Sequence, residues 1–221
     1  MEILLRKAGP TDYPFLAETI INAEKSGGQT LTYTTIFGIA EEKAKDYIIQ
    51  MLDEEIEHCE FSAEAFLIAE SDGKAVGAVC CWIEAADGIA SSILKGNLLR
   101  HTLPKDNFEK AIRLGPIISE LHMEYEAGSI QVGLVYVTEA ARGKGLVKRL
   151  LDGKISELRT GDQHVYIQVF GNNAAAIRAY EKYGFATVAQ KTAIHPEINA
   201  YMPSDTKLLM KLNTATGYEP I

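Results

Sequence analysis

The sequence predicts an α/β (α+β) chain in which apolar strands alternate with amphipathic helices around a central sheet. Three observations carry that expectation. Ile130–Val137 (IQVGLVYV) is an apolar run of strand length, and beyond Gly143-Lys144-Gly145 the apolar residues recur at helical spacing. Val165–Phe170 (VYIQVF) repeats the same strand, turn and helix pattern about thirty residues on. Ser71-Asp72-Gly73-Lys74 separates two further apolar runs and reads as a tight β-hairpin.

Taken in order, residues 3–12 read as a first strand leading to a helix capped near Asp12 and running over 13–24. Residues 41–58 form a second helix with Tyr47, Ile48, Met51, Leu52 and Ile56 on one face. Strands at 65–70 and 75–84 flank the hairpin turn. The next segment, 85–128, is longer than a strand connection; 89–99 and 108–125 look partly helical, and Gly115-Pro116 breaks the second of them. This insertion is either a wall on the substrate side or a partner surface. In Ile130–Val137, simple alternation puts Ile130, Val132, Leu134 and Tyr136 on one face and Val135 and Val137 on the other. Both faces are apolar, so the strand is central. Leu146, Val147, Leu150, Leu151, Ile155 and Leu158 then define a helix starting at about Gly145. After Val165–Phe170, Asn172 or Asn173 caps a helix that continues through Tyr183 and stops at Gly184. Residues 207–213 form a closing strand.

A chain of 221 residues with 47% hydrophobic content can bury a substantial core, and no linker divides it, so 1–221 reads as one domain. No run is apolar enough to span a membrane, and the start lacks a signal peptide's apolar core, so a cytoplasmic location is expected. Three cysteines, two of them adjacent at Cys80-Cys81, fit a reduced compartment and small buried hydrophobes. Five histidines show no metal-ligand spacing, so no metal is expected. The formal charge of −8, from 30 acidic and 22 Lys and Arg residues, argues against nucleic-acid binding and mildly favours a cationic substrate. A homodimer remains open.

The turn before the helix at Gly145 suits a phosphate, because helix N-termini leave N–H groups unpaired and glycines let a ligand approach the backbone. Arg142, Lys144 and Lys148 add positive charge. The plain alternative is a tight connection with a solvated basic rim. The Walker pattern is absent, and a dinucleotide fingerprint would need a third Gly where Lys148 stands.

Together the two strand, turn and helix units resemble the acetyl-CoA-binding motifs of the GNAT superfamily of N-acetyltransferases. The family's first motif reads Gln or Arg, two residues of any kind, Gly, any residue, then Gly or Ala. Arg142 and Gly145 match it, and Val147 stands in the last place, where its branched side chain leaves less room for a pyrophosphate. The second motif is matched in order and spacing by Asn173, Ala176-Ile177, Tyr180 and Gly184-Phe185. The resemblance spans about 3–213. It implies a GNAT-like mixed central sheet of about six to seven strands flanked by helices, with a helical insertion between the third and fourth strands.

It also implies acetyl transfer from acetyl-CoA to a primary amine by direct attack, with a small-molecule acceptor the preferred one. Pantetheine would lie between two splayed parallel strands, held by the backbone of Val135 and Val137, with the backbone of Val135 or Tyr136 polarising the thioester carbonyl. The turn Arg142, Gly143, Lys144, Gly145, Leu146 and Val147 would take the pyrophosphate, and Asn173 the pantetheine amide region. Tyr180 would donate to the departing sulfur; its place on an apolar helix stripe taken alone is that of a core residue, and Asn173 and Gly184-Phe185 in register favour the site. The acceptor ammonium must lose a proton. Where many family members carry a Glu this strand has Gln131, which leaves Glu84 and Glu124, then Glu126, His122 and Tyr136 through water, as candidates. Two other readings stay open: an acetyl-CoA sensor without turnover, and a phosphate-binding protein of another α/β class.

Overall fold

Asp72 and Gly73 both take left-handed backbone, φ 51° and 72°, as a two-residue type I′ hairpin requires. They join β2 (Phe66–Ser71) to β3 (Lys74–Ile83). The computed structural model describes residues 2–213; Met1 and 214–221, the ends of the expected domain, lie outside them. One seven-stranded sheet is completed by β1 (Leu4–Lys7), β4 (Ile130–Val137), β5 (Val165–Phe170), β6 (Phe185–Thr192) and β7 (Thr206–Leu212), in the order β1-β2-β3-β4-β5-β7-β6. β4 is central, as its two apolar faces require. Every pairing is antiparallel except β4 with β5. β6 carries no alternating apolar signal because it is an edge strand whose residues beyond Phe185 are mostly exposed.

Helices cover both faces. On one side α1 (Tyr13–Glu24), α3 (Glu41–Asp53) and α4 (Ser91–Thr102) pack Leu16, Ile20, Ile48, Met51 and Leu98 against Phe66, Ile68, Cys80 and Leu134; the short α2 (Thr32–Thr35) joins them. On the other, α6 (Leu146–Leu158) and α7 (Ala174–Tyr183) pack Leu150, Leu151, Ile155 and Tyr180 against Val79, Cys81, Ile130 and Ile167. Each fully buried Leu or Ile contributes about 1.5–3 kcal/mol. The remaining helices are α5 (Lys105–Ile118) and the single turn α8 (Ile198–Tyr201).

Three local expectations are corrected. Asp12 precedes α1 but does not cap it: Pro14 removes one of the N–H groups a cap would bond, and the Asp12 carboxylate instead accepts from Gly9 N at 2.9 Å and from both terminal nitrogens of Arg6. The Arg6 guanidinium holds that carboxyl below its ordinary range. α3 ends at Asp53, not at 58, because Asp53, Glu54, Glu55 and Glu57 crowd negative charge onto the negative end of its dipole. α5 passes through Pro116 instead of breaking there. Pro116 sits in the last turn, so its missing bond orphans only the carbonyl of Ile112, a residue 61% exposed and open to water.

β4 also departs from simple alternation. Cys80 opposes Leu134 and the adjacent Cys81 opposes Val132, so Gly133 is an extra residue, a β-bulge. Beyond it the faces exchange. Ile130, Val132, Val135 and Val137 all pack toward α6, while Leu134 and Tyr136 face α1. A Cβ on Gly133 would overlap Trp82 Cζ3 and lie 2.7 Å from its Cη2, so only glycine fits without a shift of the indole. Gly133→Ala should therefore destabilise the fold by about 1–3 kcal/mol, an overpacking cost. Trp82→Phe, which removes those ring atoms, should recover part of that loss in a double-mutant cycle read by urea denaturation. Strictly additive effects would mean the indole does not set the bulge.

Candidate active site

β4 and β5 pair only over residues 130–132 and 165–167. Past the Gly133 bulge the strands part, and the gap opens into a cleft of about 890 Å³ lined by residues 132–137 of β4 and Gln168, Val169 and Phe170 of β5. Over that stretch β4 keeps β3 on one side and has no strand partner on the other. Its outer backbone groups face the cleft, where an extended ligand could pair with them as a strand would.

At one end lies the glycine turn. Gly143 and Gly145 adopt φ of 76° and 73°, and a Cβ on either would meet nothing within 4 Å. The positive φ demands glycine, and the space above the backbone is open. α6 begins at Leu146 with no side-chain cap, so its first-turn N–H groups lack intrahelical acceptors. Arg142 Nε donates to Val137 O at 3.2 Å, tying the turn to the end of β4. Val147 lines the cleft within the same turn. Lys144 stands apart, exposed, with its Nζ donating to Ala140 O at 3.0 Å.

α7 supplies the facing wall. Asn173 Oδ1 accepts from Ala176 N at 3.1 Å as the helix cap, and its Nδ2 donates to Ser26 Oγ at 3.3 Å. Two turns on, Tyr180 lines the cleft, 8% exposed, beside Ala176 and Ala179. Burial, with a smaller contribution from Cys81, pushes its phenol well above the usual range, so it carries its proton at neutral pH. All three cysteines are unbridged and buried, and burial pushes the Cys81 thiol up to about 12.

The structure thus gathers Val135, Tyr136, Val137, Arg142, Gly143, Gly145, Leu146, Val147, Asn173 and Tyr180 around one cleft. The carboxylates expected beside it are elsewhere. Glu84 is 3% exposed and accepts from Trp82 Nε1 at 2.9 Å, Ser91 N at 2.9 Å and Ser91 Oγ at 2.6 Å, so it clamps the start of α4 to the sheet. Glu124 is exposed and off the cleft, as is His122. Glu126 bonds Tyr166 and His164 on the outside of the molecule. Of the five, only Tyr136 lines the cleft, where its hydroxyl donates to Glu18 of α1 at 3.2 Å.

Residues that local sequence did not signal form the other end: Glu24 from α1, Glu60 from the loop before β2, Lys95 and Tyr125 from the insertion, Gln168 from β5 and Lys207 from β7. The insertion is therefore a wall of the cleft. Lys95 Nζ is paired with Glu60, and Glu24 accepts from Thr32 Oγ1 at 2.7 Å. Lys207 Nζ lies 5.6 Å from the centre of the Phe170 ring, and burial, with Lys95 nearby, lowers its ammonium to about 8. Among the described residues, no group of His, Cys, Asp and Glu could hold a metal and no helix is long and apolar enough to cross a membrane.

Residues 34–185 match the family described as the Acetyltransferase (GNAT) family. The chain belongs to the GNAT acetyltransferase family. Solved structures share the fold of this acetyltransferase at low identity. An N-acetyltransferase from Staphylococcus aureus Mu50 is 15% identical, with 95% of this chain and 100% of that one covered and a TM-score of 0.68. A GNAT-family acetyltransferase from Desulfovibrio desulfuricans is 18% identical over 97% and 100% of the two chains, TM-score 0.58. The yncA protein of Salmonella typhimurium, solved with its cofactor acetyl-CoA, is 16% identical over 100% and 99%, TM-score 0.53. The comparison with curated protein sequences found no match.

For this acetyltransferase Glu84 is a clamp, and its removal should show as lost stability. Glu84→Ala strands the Trp82 and Ser91 donors, and thermal or urea unfolding should report a loss of about 2–4 kcal/mol. Wild-type stability with a lost acidic limb in the pH profile would be the signature of a catalytic base instead.

Proposed function

We propose that the chain transfers the acetyl group of acetyl-CoA to a primary amine of a small molecule by direct attack. The observation that carries this reading is the parting of β4 from β5 at Gly133, which leaves a strand edge unpaired between an open glycine turn and a buried, protonated tyrosine. Acetyl-CoA supplies an activated acetyl thioester. The cradle suits it: the open backbone at Gly143 and Gly145 can take the pyrophosphate, with the N–H groups of Leu146 and Val147 turned to the same anion. Val147 narrows that cradle. The β4 edge at Val135 and Val137 can hold pantetheine as a neighbouring strand would be held. An N–H from Val135 or Tyr136 can polarise the thioester carbonyl.

In the transfer the C–N bond forms as the C–S bond breaks. The acceptor ammonium loses two protons; one ends on the thiol and one reaches solvent. Tyr180 stabilises the charge developing on sulfur by donating its hydroxyl hydrogen, with full transfer not required of so weak an acid. Glu24 and the Tyr136–Glu18 pair are the cleft groups suited to receive the acceptor's first proton, since Glu60 is held by Lys95.

Two variants test the two ends of the cleft. Gly145→Glu puts bulk and negative charge where the phosphates would sit, and calorimetry should show acetyl-CoA affinity falling ~10-fold or more, given the strength of like-charge juxtaposition. Unchanged affinity in a folded variant would falsify the cradle. Tyr180→Phe keeps the ring packing, and kcat for thiol release across an amine panel should drop ~10- to 1000-fold while acetyl-CoA affinity holds. A full-rate Phe variant returns Tyr180 to the core. Tight acetyl-CoA binding without thiol release would favour the sensor reading.

A further inference from the structure

The acceptor end of the cleft carries charges of both signs, which the acidic balance of the whole sequence does not suggest. Two carboxylates, Glu24 and Glu60, and three ammonium groups, Lys25, Lys95 and Lys207, line it, with Lys25 taken up by Glu41 at 2.8 Å. Glu60 and Lys95 satisfy each other. Glu24 has a hydroxyl donor in Thr32 but, among the described residues, no ion pair. Lys207 is the mirror case: among the described residues its Nζ has neither a hydrogen bond nor an ion pair; it has the face of Phe170, and Glu24 and Glu60 act on it only at longer range. An aromatic face offsets little of the cost of desolvating an ammonium. The ordinary remedy is an anion, and here a ligand must bring it.

The two unpaired charges also stand in a definite order relative to the opening between β4 and β5. Glu24 ends α1, and the next residues, Lys25 and Ser26, lead directly to the contact of Ser26 with Asn173, the cap of the helix that carries Tyr180. Lys207 lies on the far side of β5 from β4, in register with Phe170. Glu24 thus comes to the cleft from the helix packed on β4, the strand whose Val135 and Tyr136 would face the thioester, and Lys207 from the strand beyond β5.

We propose that the acceptor is a small zwitterion, a primary amine that also carries a carboxylate, as a free amino acid does, with its carboxylate on Lys207 and its ammonium at Glu24. The proposal rests on the acetyl-transfer reading above and narrows it. A plain alkylammonium would leave Lys207 unpaired and repelling it; a plain anion would face Glu24. A net-neutral dipolar ligand meets both unpaired groups, and the orientation it takes presents the amine to the reacting end. Lys207 is then a specificity-determining residue that never touches the transferred acetyl group.

The test uses the full chain, acetyl-CoA and matched acceptors: alanine against ethylamine, β-alanine against propylamine, and alaninamide, whose carboxylate is masked. Thiol release should show kcat/KM at least ~10-fold higher for the carboxylate-bearing member of each pair, as a site with a waiting charge partner discriminates. Lys207→Met should shrink that ratio ~10-fold or more, mainly through KM, and Lys207→Arg should retain it. Equal or faster turnover of ethylamine and propylamine overturns the proposal while leaving acetyl transfer standing. So does a Lys207→Met variant that slows both members by the same factor, the mark of a structural role. Should Lys207→Met not fold, as judged by circular dichroism, the wild-type ratios and the Arg variant decide. Absence of acetyl-CoA binding, or of thiol release with every amine, removes the transfer reading and this proposal with it.

Discussion

The contact between the Trp82 indole and Gly133 is the constraint from which the cleft follows. Trp82 cannot yield easily: its Nε1 is bonded to the buried Glu84, and Tyr125 packs edge-on against it with ring centres 5.9 Å apart. With the ring fixed, the backbone of β4 must pass it without a side chain, and the extra residue lodges there as a bulge. A bulge bends its strand and ends regular pairing on that side. The parallel pairing with β5 stops one residue before it. Glu84 thus shapes the site from outside, through the ring it holds and through Ser91, which sets the start of α4 and with it the position of Lys95.

The same cleft brings together groups with contrasting electrostatic needs. Tyr180 is buried among apolar side chains, and desolvation, with a smaller contribution from Cys81, holds its proton more tightly. Across the cleft, Lys207 is half-buried with another ammonium nearby, and desolvation acts in the opposite chemical sense, loosening its proton. Each site residue owes its state to its surroundings more than to its type. The acidic excess of the whole chain says little about this pocket, where Lys25, Lys95, Arg142 and Lys207 outnumber Glu24 and Glu60.

Much of the frame was legible because its signals are local. The apolar runs of β2 to β5, the Asp72-Gly73 turn, Pro-free helical spacing after Gly145 and the Asn173 to Gly184 helix each announce themselves within a dozen or so residues. The parity change in β4 was not legible, since a Gly inside a strand does not say which ring from the neighbouring strand displaces its Cβ. β6 escaped for a related reason: an edge strand needs no alternating apolar face. Glu84 looked like a site carboxylate because it ends a strand beside β4. Its real partners, two residues and seven residues from it in sequence, give no pattern by which a buried clamp could be told from a base. Glu24, Glu60, Lys95 and Lys207 come from four separate elements, and only the folded chain makes them neighbours.

The two outermost strands bear on how copies of this molecule can associate. β1 spans four residues and carries Arg6 and Lys7; β6 bears Lys191 and is irregular at Val188, where its register with β7 shifts. Short, charged or kinked borders are poor templates for a visiting strand. The sheet is thereby guarded against growing from one molecule into the next, and self-association through a continuous intermolecular sheet is disfavoured. Among the described residues it is the internal gap between β4 and β5, not either border, where the sheet invites an extended guest.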